Sequence, residues 1–195
     1  MVNPVQDKEL VIFDLDGTLA DTTLAAVAAI NSRCKSIGIN LAQSDITAAL
    51  RHGTGAINQL LLRQNLSPID IKRIVLESKL LSATEAIRPY YLSNIESALT
   101  KWGVTTAIVT NRSREHTQLI FDRINLSLPL LRVVITSDDA PKKPSPTGIL
   151  LAIFNSKVAR EKAVYIGDSN KDVAAARNAG VYYLNVTEIL DSCIV

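Results

Sequence analysis

Short apolar runs separated by helical repeats constrain this chain more than any other feature. Leu10 to Phe13, Thr106 to Val109, Arg132 to Ile135 and Ala163 to Ile166 are rich in β-branched residues and flanked by Gly, Pro, Asn, Asp or Ser. A weaker fifth run spans Val181 to Val186. Such runs are too short for helices and read as buried strands. Helical patterns lie between them, at Ile95 to Trp102, Arg114 to Ile124, Thr147 to Ser156 and Lys171 to Ala179. Strands alternating with helices indicate an α/β chain, a Rossmann-like doubly wound parallel sheet covered on both faces.

One interval breaks the alternation. From about Leu19 to Ala86 only helical periodicity appears, at Leu24 to Ile37, Ser44 to Leu50, Ala56 to Gln64 and Pro68 to Ser82. A single crossover needs one helix, so several in succession predict an α-helical cap subdomain inserted after the first strand. The expected division is a core of residues 1–18 and 87–195 with a cap of residues 19–86.

Composition narrows the class. With 47% hydrophobic and 21% charged residues, extensive disorder is excluded. Aromatics are only 5%, so the core is built mainly of Leu, Ile, Val and Ala. A net charge of +2 gives no footprint for nucleic acid or an anionic membrane. Cys34 and Cys193 define no disulfide framework, which favours a reducing cytoplasmic compartment. The opening segment lacks a basic stretch followed by an apolar one, and the apolar runs are far short of a membrane span. A soluble protein, monomer or homodimer, is expected.

Parallel sheets form their sites at the carboxyl edge of the strands. Here every strong strand delivers polar residues to that edge. Asp14 and Asp16 follow the first, Thr110 and Asn111 the second, Lys143 the third, and Asp168 and Asp172 the fourth. Carboxylates held together repel and take up protons unless a cation neutralises them. The candidate metal ligands Asp14, Asp16, Asp168 and Asp172 are all oxygen donors, which suits Mg²⁺. An ion beside a lysine and a hydroxyl can hold a phosphoryl group, with one carboxylate attacking phosphorus and another managing protons. Residues two apart on a strand face one side, so Asp14 and Asp16 can share one phosphate.

The segments "DLDGTLADT", "VTNRS", "KKPSP" and "GDSNKD" resemble, in order, the four motifs of the haloacid dehalogenase-like hydrolase superfamily. That resemblance implies Asp14 as nucleophile and Asp16 as general acid/base. It implies Thr110 as a phosphate ligand with Asn111 beside it, and Lys143 as the group that stabilises nucleophile and phosphate charge. Mg²⁺ would be held by Asp14, Asp168 and the main-chain carbonyl of Asp16, with Asp172 acting directly, through water, or as support. The second Asp separates the chain from the dehalogenases, which lack it. A histidine twelve residues after the nucleophile marks the similar β-phosphoglucomutases, and position 26 here is Ala. Water is therefore the expected acceptor and a small phosphorylated metabolite the expected substrate.

The "HGTG" element resembles the phosphoglycolate phosphatase branch, which makes Arg51, His52 and Gly53 candidate substrate contacts in the cap. Other roles stay open at this point. Ser169-x-x-Asp172 is also a capping-box pattern, and Asp21 is expected to cap the first cap helix. Gly167 is expected to be a turn residue. His116 is expected on a solvated helix face, and Arg51 and Arg112 either bind a second anionic group or are surface charges. A catalytically weak binding or regulatory protein on the same fold is the competing reading, and filled motif positions weigh against it.

Overall fold

The computed structural model describes residues 4–193, with side chains through residue 190. The chain divides into two compact units. One comprises the segments up to Ala20 and from Arg88 onward; the other is Asp21–Ile87.

In the first unit, β1 (Leu10–Phe13), β2 (Thr105–Val109), β3 (Leu131–Ile135), β4 (Ala163–Gly167) and β5 (Tyr182–Asn185) form a parallel sheet. Its order is β3-β2-β1-β4-β5. The chain begins at the centre, winds outward to β3, then returns to place β4 on the other side of β1. The switch point of the topology thus lies between β1 and β4, and there loops leaving neighbouring strands diverge and open a crevice.

The helices of this unit are α5 (Leu92–Trp102), α6 (Arg114–Ile124), α7 (Thr147–Ser156), α8 (Asn170–Ala179) and α9 (Val186–Cys193). Helices α7 and α8 bury Ile149, Ala152, Ile153, Ala175, Ala176 and Ala179 against the face of the sheet carrying Leu10, Ile12, Ala107, Val109 and Tyr165. Val11, Phe13, Ile108 and Ile166 point the other way and are equally buried. With both faces covered, strand positions lose the polar alternation of a half-exposed sheet, which explains the continuous apolar runs. The fifth strand leads into α9, a helix additional to the sequence expectation, which packs against α5.

Helix ends follow local chemistry. Ser113 caps α6 by accepting the His116 N–H, and Gly103 and Gly180 close α5 and α8 in the left-handed region. Gly148 sits where α7 meets the sheet; a Cβ there would lie 2.8 Å from Cγ1 of Val109.

The second unit contains α1 (Thr23–Ser36), α2 (Gln43–His52), α3 (Thr54–Leu62) and α4 (Pro68–Thr84). They share a core of Val27, Ile30, Cys34, Ile46, Ile57, Leu61, Ile71, Ile74 and Val75. Its two ends are tied together by a backbone bridge in which Asp21 and Ile87 exchange N–H···O bonds of 3.0 and 2.8 Å. Asp21 also accepts the Thr23 N–H through Oδ1 at 3.0 Å, while the residue at the N-cap position of α1 is Thr22. Ser67 caps α4, with Pro68 in its first turn. Among the described residues Cys34 is a buried free thiol; the Cys193 side chain lies outside them. No described helix is long and apolar enough to cross a membrane.

Replacing Gly148 by Val would overpack the α7–β2 contact. A destabilisation of about 1–3 kcal/mol is expected, measured as a lower urea midpoint at unchanged m-value.

Candidate active site

Asp14 follows the last residue of β1 and stays in the ladder, its N–H donating to the Ile166 carbonyl at 2.8 Å. Immediately beyond, the Leu15 carbonyl accepts the N–H groups of Leu19 and Ala20, each at 2.9 Å, which turns the chain sharply. Gly17 makes that turn at φ +79°, and any side chain there would run into the Asp168 carboxylate. Glycine is required here because it lets the loops after β1 and β4 approach each other.

Thr110 leaves β2 in the same manner, donating its N–H to Ile135 at 2.9 Å; its hydroxyl accepts the Arg112 N–H at 3.1 Å. The Asn111 side chain spans to the loop after β3. Its Oδ1 accepts the Lys143 N–H at 2.7 Å and its Nδ2 donates to the Lys143 carbonyl at 3.3 Å. This reciprocal pair fixes the backbone that carries Lys143, and it occupies the amide that the sequence placed beside the phosphate.

Lys143 is buried, and its ammonium is surrounded by acceptors. Nζ lies 2.6 Å from Asp14 Oδ1, 2.5 Å from Asp172 Oδ1 and 2.8 Å from the Tyr165 hydroxyl. Asp172 is fully enclosed and serves two purposes at once. Its Oδ1 meets Lys143 and Tyr165, while its Oδ2 accepts the Ser169 N–H at 3.1 Å and the Ser169 hydroxyl, completing a capping box at α8. Gly167 is a close-approach residue rather than only a turn residue, since a Cβ there would lie 2.6 Å from Asp172 Cβ.

These contacts divide the protons. Burial, with repulsion from Asp172 and Asp16, outweighs the pull of Lys143 and raises Asp14 to about 8. Burial also disfavours the Asp172 carboxylate, but Lys143 and the hydrogen bonds from Lys143, Ser169 and Tyr165 prevail and hold it below the usual range. Lys143 loses hydration by burial, yet Asp14 and Asp172 raise it above an ordinary lysine. Loss of solvent around its carboxylate and the nearby Asp172 charge raise Asp168 to about 6, although the residue keeps a solvent-exposed side.

Oxygens of Asp14, Asp168 and Asp172 lie within 4.8 Å of one another and could hold a metal ion. The Asp16 carboxylate is not in that group. It is turned to Arg112, whose Nη2 lies 2.7 Å from Oδ1 and whose Nε reaches both oxygens at 3.1 and 3.0 Å. Arg112 therefore grips a site carboxylate. With all four carboxylates ionised, Lys143 and Arg112 would leave two negative charges, which a divalent ion would match while drawing the proton from Asp14.

Arg51 and His52 are exposed at the end of α2, and Gly53 follows at φ +90° between α2 and α3, all in the helical unit. His116 is half-buried in the first turn of α6. Tyr165 is concealed in the sequence because its strand reads as an apolar run. The available signal was its phenol, since a hydroxyl in a strand covered on both faces must find a partner.

Because Asp14 is raised in the folded state, the fold favours its protonated form. The resulting stabilisation is fully present below about pH 4 and is lost as pH rises through about 8. In chelator, Asp14→Asn is expected to flatten the fall in Tm between pH 5 and pH 8.5 and to exceed the parent's Tm at the alkaline end, measured by thermal denaturation across that range.

The haloacid dehalogenase-like hydrolase family matches residues 11–186. A phosphoglycolate phosphatase of Pseudomonas putida is 29% identical over 191 residues, covering 91% of this chain and 69% of that protein. One from Aquifex aeolicus is 28% identical over 173 residues, covering 88% and 81%. Among solved structures, a hydrolase from Streptococcus pneumoniae shares the fold at TM-score 0.71 and 20% identity, covering 97% of this chain and 100% of that one. CbbY from Rhodobacter sphaeroides, solved in complex with phosphate, does so at TM-score 0.71 and 22% identity, covering 91% and 85%. A match running from β1 into α9, through every loop that contributes to the acidic edge, means that the chain belongs to the haloacid dehalogenase-like hydrolases.

Proposed function

We propose that the protein hydrolyses a small phosphorylated metabolite by way of an aspartyl-phosphate. The chain is a phosphatase of its family, as its similarity to phosphoglycolate phosphatases supports. The observation that carries the mechanistic reading is the ammonium of Lys143 held 2.6 Å from Asp14 at the strand edge. It draws a buried carboxylate towards its charged form and aims it where a nucleophile is needed.

Asp14 attacks phosphorus and the P–O bond to the leaving group breaks; water then attacks the same phosphorus and releases Asp14 and inorganic phosphate. Asp16 gives a proton to the leaving oxygen and takes one from the water. Arg112 orients that carboxylate. Thr110 offers its hydroxyl to the phosphoryl oxygens, and Asn111 fixes the Lys143 backbone while its loop stands beside the phosphate. The donor set is entirely oxygen, which suits Mg²⁺, with Asp14, Asp168 and the Asp16 carbonyl as ligands and Asp172 supporting them. That ion would neutralise phosphoryl charge as it builds. Phosphoglycolate-like or sugar phosphates are the favoured substrates, with selection assigned to Arg51, His52 and Gly53 in the helical cap. Ala26 favours water over a sugar as acceptor. A cytoplasmic setting accords with the free thiol of Cys34.

Phosphate release from phosphoglycolate and a panel of sugar phosphates tests the reading. Release is expected with Mg²⁺, is abolished by chelator, and falls at least about a thousandfold in Asp14→Asn. A folded, Mg²⁺-binding protein without release on any substrate would instead support a binding or regulatory role. Within an active protein, His52→Ala and Arg51→Ala are expected to raise KM more than they lower kcat.

A further inference from the structure

We infer that Tyr165 is a positioning residue that fixes the Lys143 ammonium on Asp14; the catalytic part of this inference rests on the phosphatase reading above. A lysine ammonium is a point charge with three donors on a flexible four-carbon stem, so two carboxylates alone leave it free to swing about the line between them. Here the third donor is taken. The hydrogen bonds to Asp14, Asp172 and Tyr165 form a tripod at 2.6, 2.5 and 2.8 Å.

The third leg differs from the others in kind. Asp14 and Asp172 sit on segments leaving the sheet, whereas Tyr165 stands within β4 and is completely buried. Its hydroxyl lies 3.2 Å from the Val109 carbonyl of β2 and 3.0 Å from Asp172 Oδ1. The phenol therefore references Nζ to the strands on both sides of β1, the strand that presents Asp14. Having only two side-chain torsions, it holds that reference at low entropic cost. Phe would fill the same space, so the hydroxyl has no packing purpose. What it adds is a neutral acceptor that satisfies a cation without a further negative charge near the nucleophile.

The test compares the parent with Tyr165→Phe, alone and in a Lys143→Arg background. For the single variant kcat is expected to fall about tenfold to a hundredfold, the scale of one hydrogen bond to a charged group. KM should stay within about twofold and Tm close to the parent's. The loss should disappear in the Lys143→Arg background, where a planar guanidinium cannot form the tripod. An unchanged kcat, or an equal loss in both backgrounds, overturns the inference. A readout independent of turnover is the ¹⁵N–¹H signal of the Lys143 ammonium in the metal-free protein. A slowly exchanging signal in the parent that broadens into water exchange in Tyr165→Phe supports the tripod. An equally sharp signal in the variant overturns it, even if no substrate is ever hydrolysed. Failure of the phosphatase reading alone would show in the parent's missing turnover, with the ammonium signal still responding.

Discussion

The buried ammonium of Lys143 is the charge on which the acidic edge depends. Without it, Asp14 and Asp172 would be two desolvated carboxylates in one small space, and one or both would remain protonated. With it, Asp172 is held as an anion and Asp14 is brought within reach of ionisation. Breaking such a pair by removing one partner leaves an uncompensated buried charge, which is far more damaging than never having built the pair. This explains why so much structure serves one lysine. Asn111 holds its backbone from both sides, Tyr165 supports its head, and the Asp172 that receives it is locked by the cap of α8.

The topology makes this convergence possible. Because the order is β3-β2-β1-β4-β5, the loops after β1 and β4 diverge at the centre of the sheet; they carry Asp14, Asp16 and Asp168, and Asp172 follows in the first turn of α8. Loops after β2 and β3 approach from the other side and supply Thr110, Arg112 and Lys143. Gly17 and Gly167 remove the Cβ atoms that would otherwise strike Asp168 and Asp172. Close packing at these two positions decides whether carboxylates from different loops can share one cation.

Much of this arrangement is legible in the sequence because it is periodic or local. Covered parallel strands appear as apolar runs, and strand ends appear where those runs meet acids and small polar residues; Arg114–Ile124 and Thr147–Ser156 coincide with the helical patterns that predict them. What escapes is whatever depends on distant partners. Arg112 and Asp16 are 96 residues apart, so an arginine ambiguous in sequence becomes the grip on a site carboxylate only in three dimensions. Tyr165 is hidden for a related reason: its ring satisfies the strand pattern, while its hydroxyl answers to Lys143, 22 residues away. Asp172 carries a local signal, the capping box, and a non-local one, the lysine. The first is readable and the second is not.

The double use of Asp172 shows how a small site gains rigidity. A carboxylate has about four acceptor positions. Here one oxygen serves the helix end and the other serves Lys143 and Tyr165. The α8 cap and the lysine pair therefore stand or fall together: loosening the first turn of α8 frees Asp172, and freeing Asp172 lets the ammonium drift towards Asp14 alone. Coupling of this kind ties the geometry at Asp14 to a secondary-structure element rather than to a loop. It also predicts the sign of any trade-off, since substitutions that relax the cap of α8 should cost catalytic rate before they cost the fold.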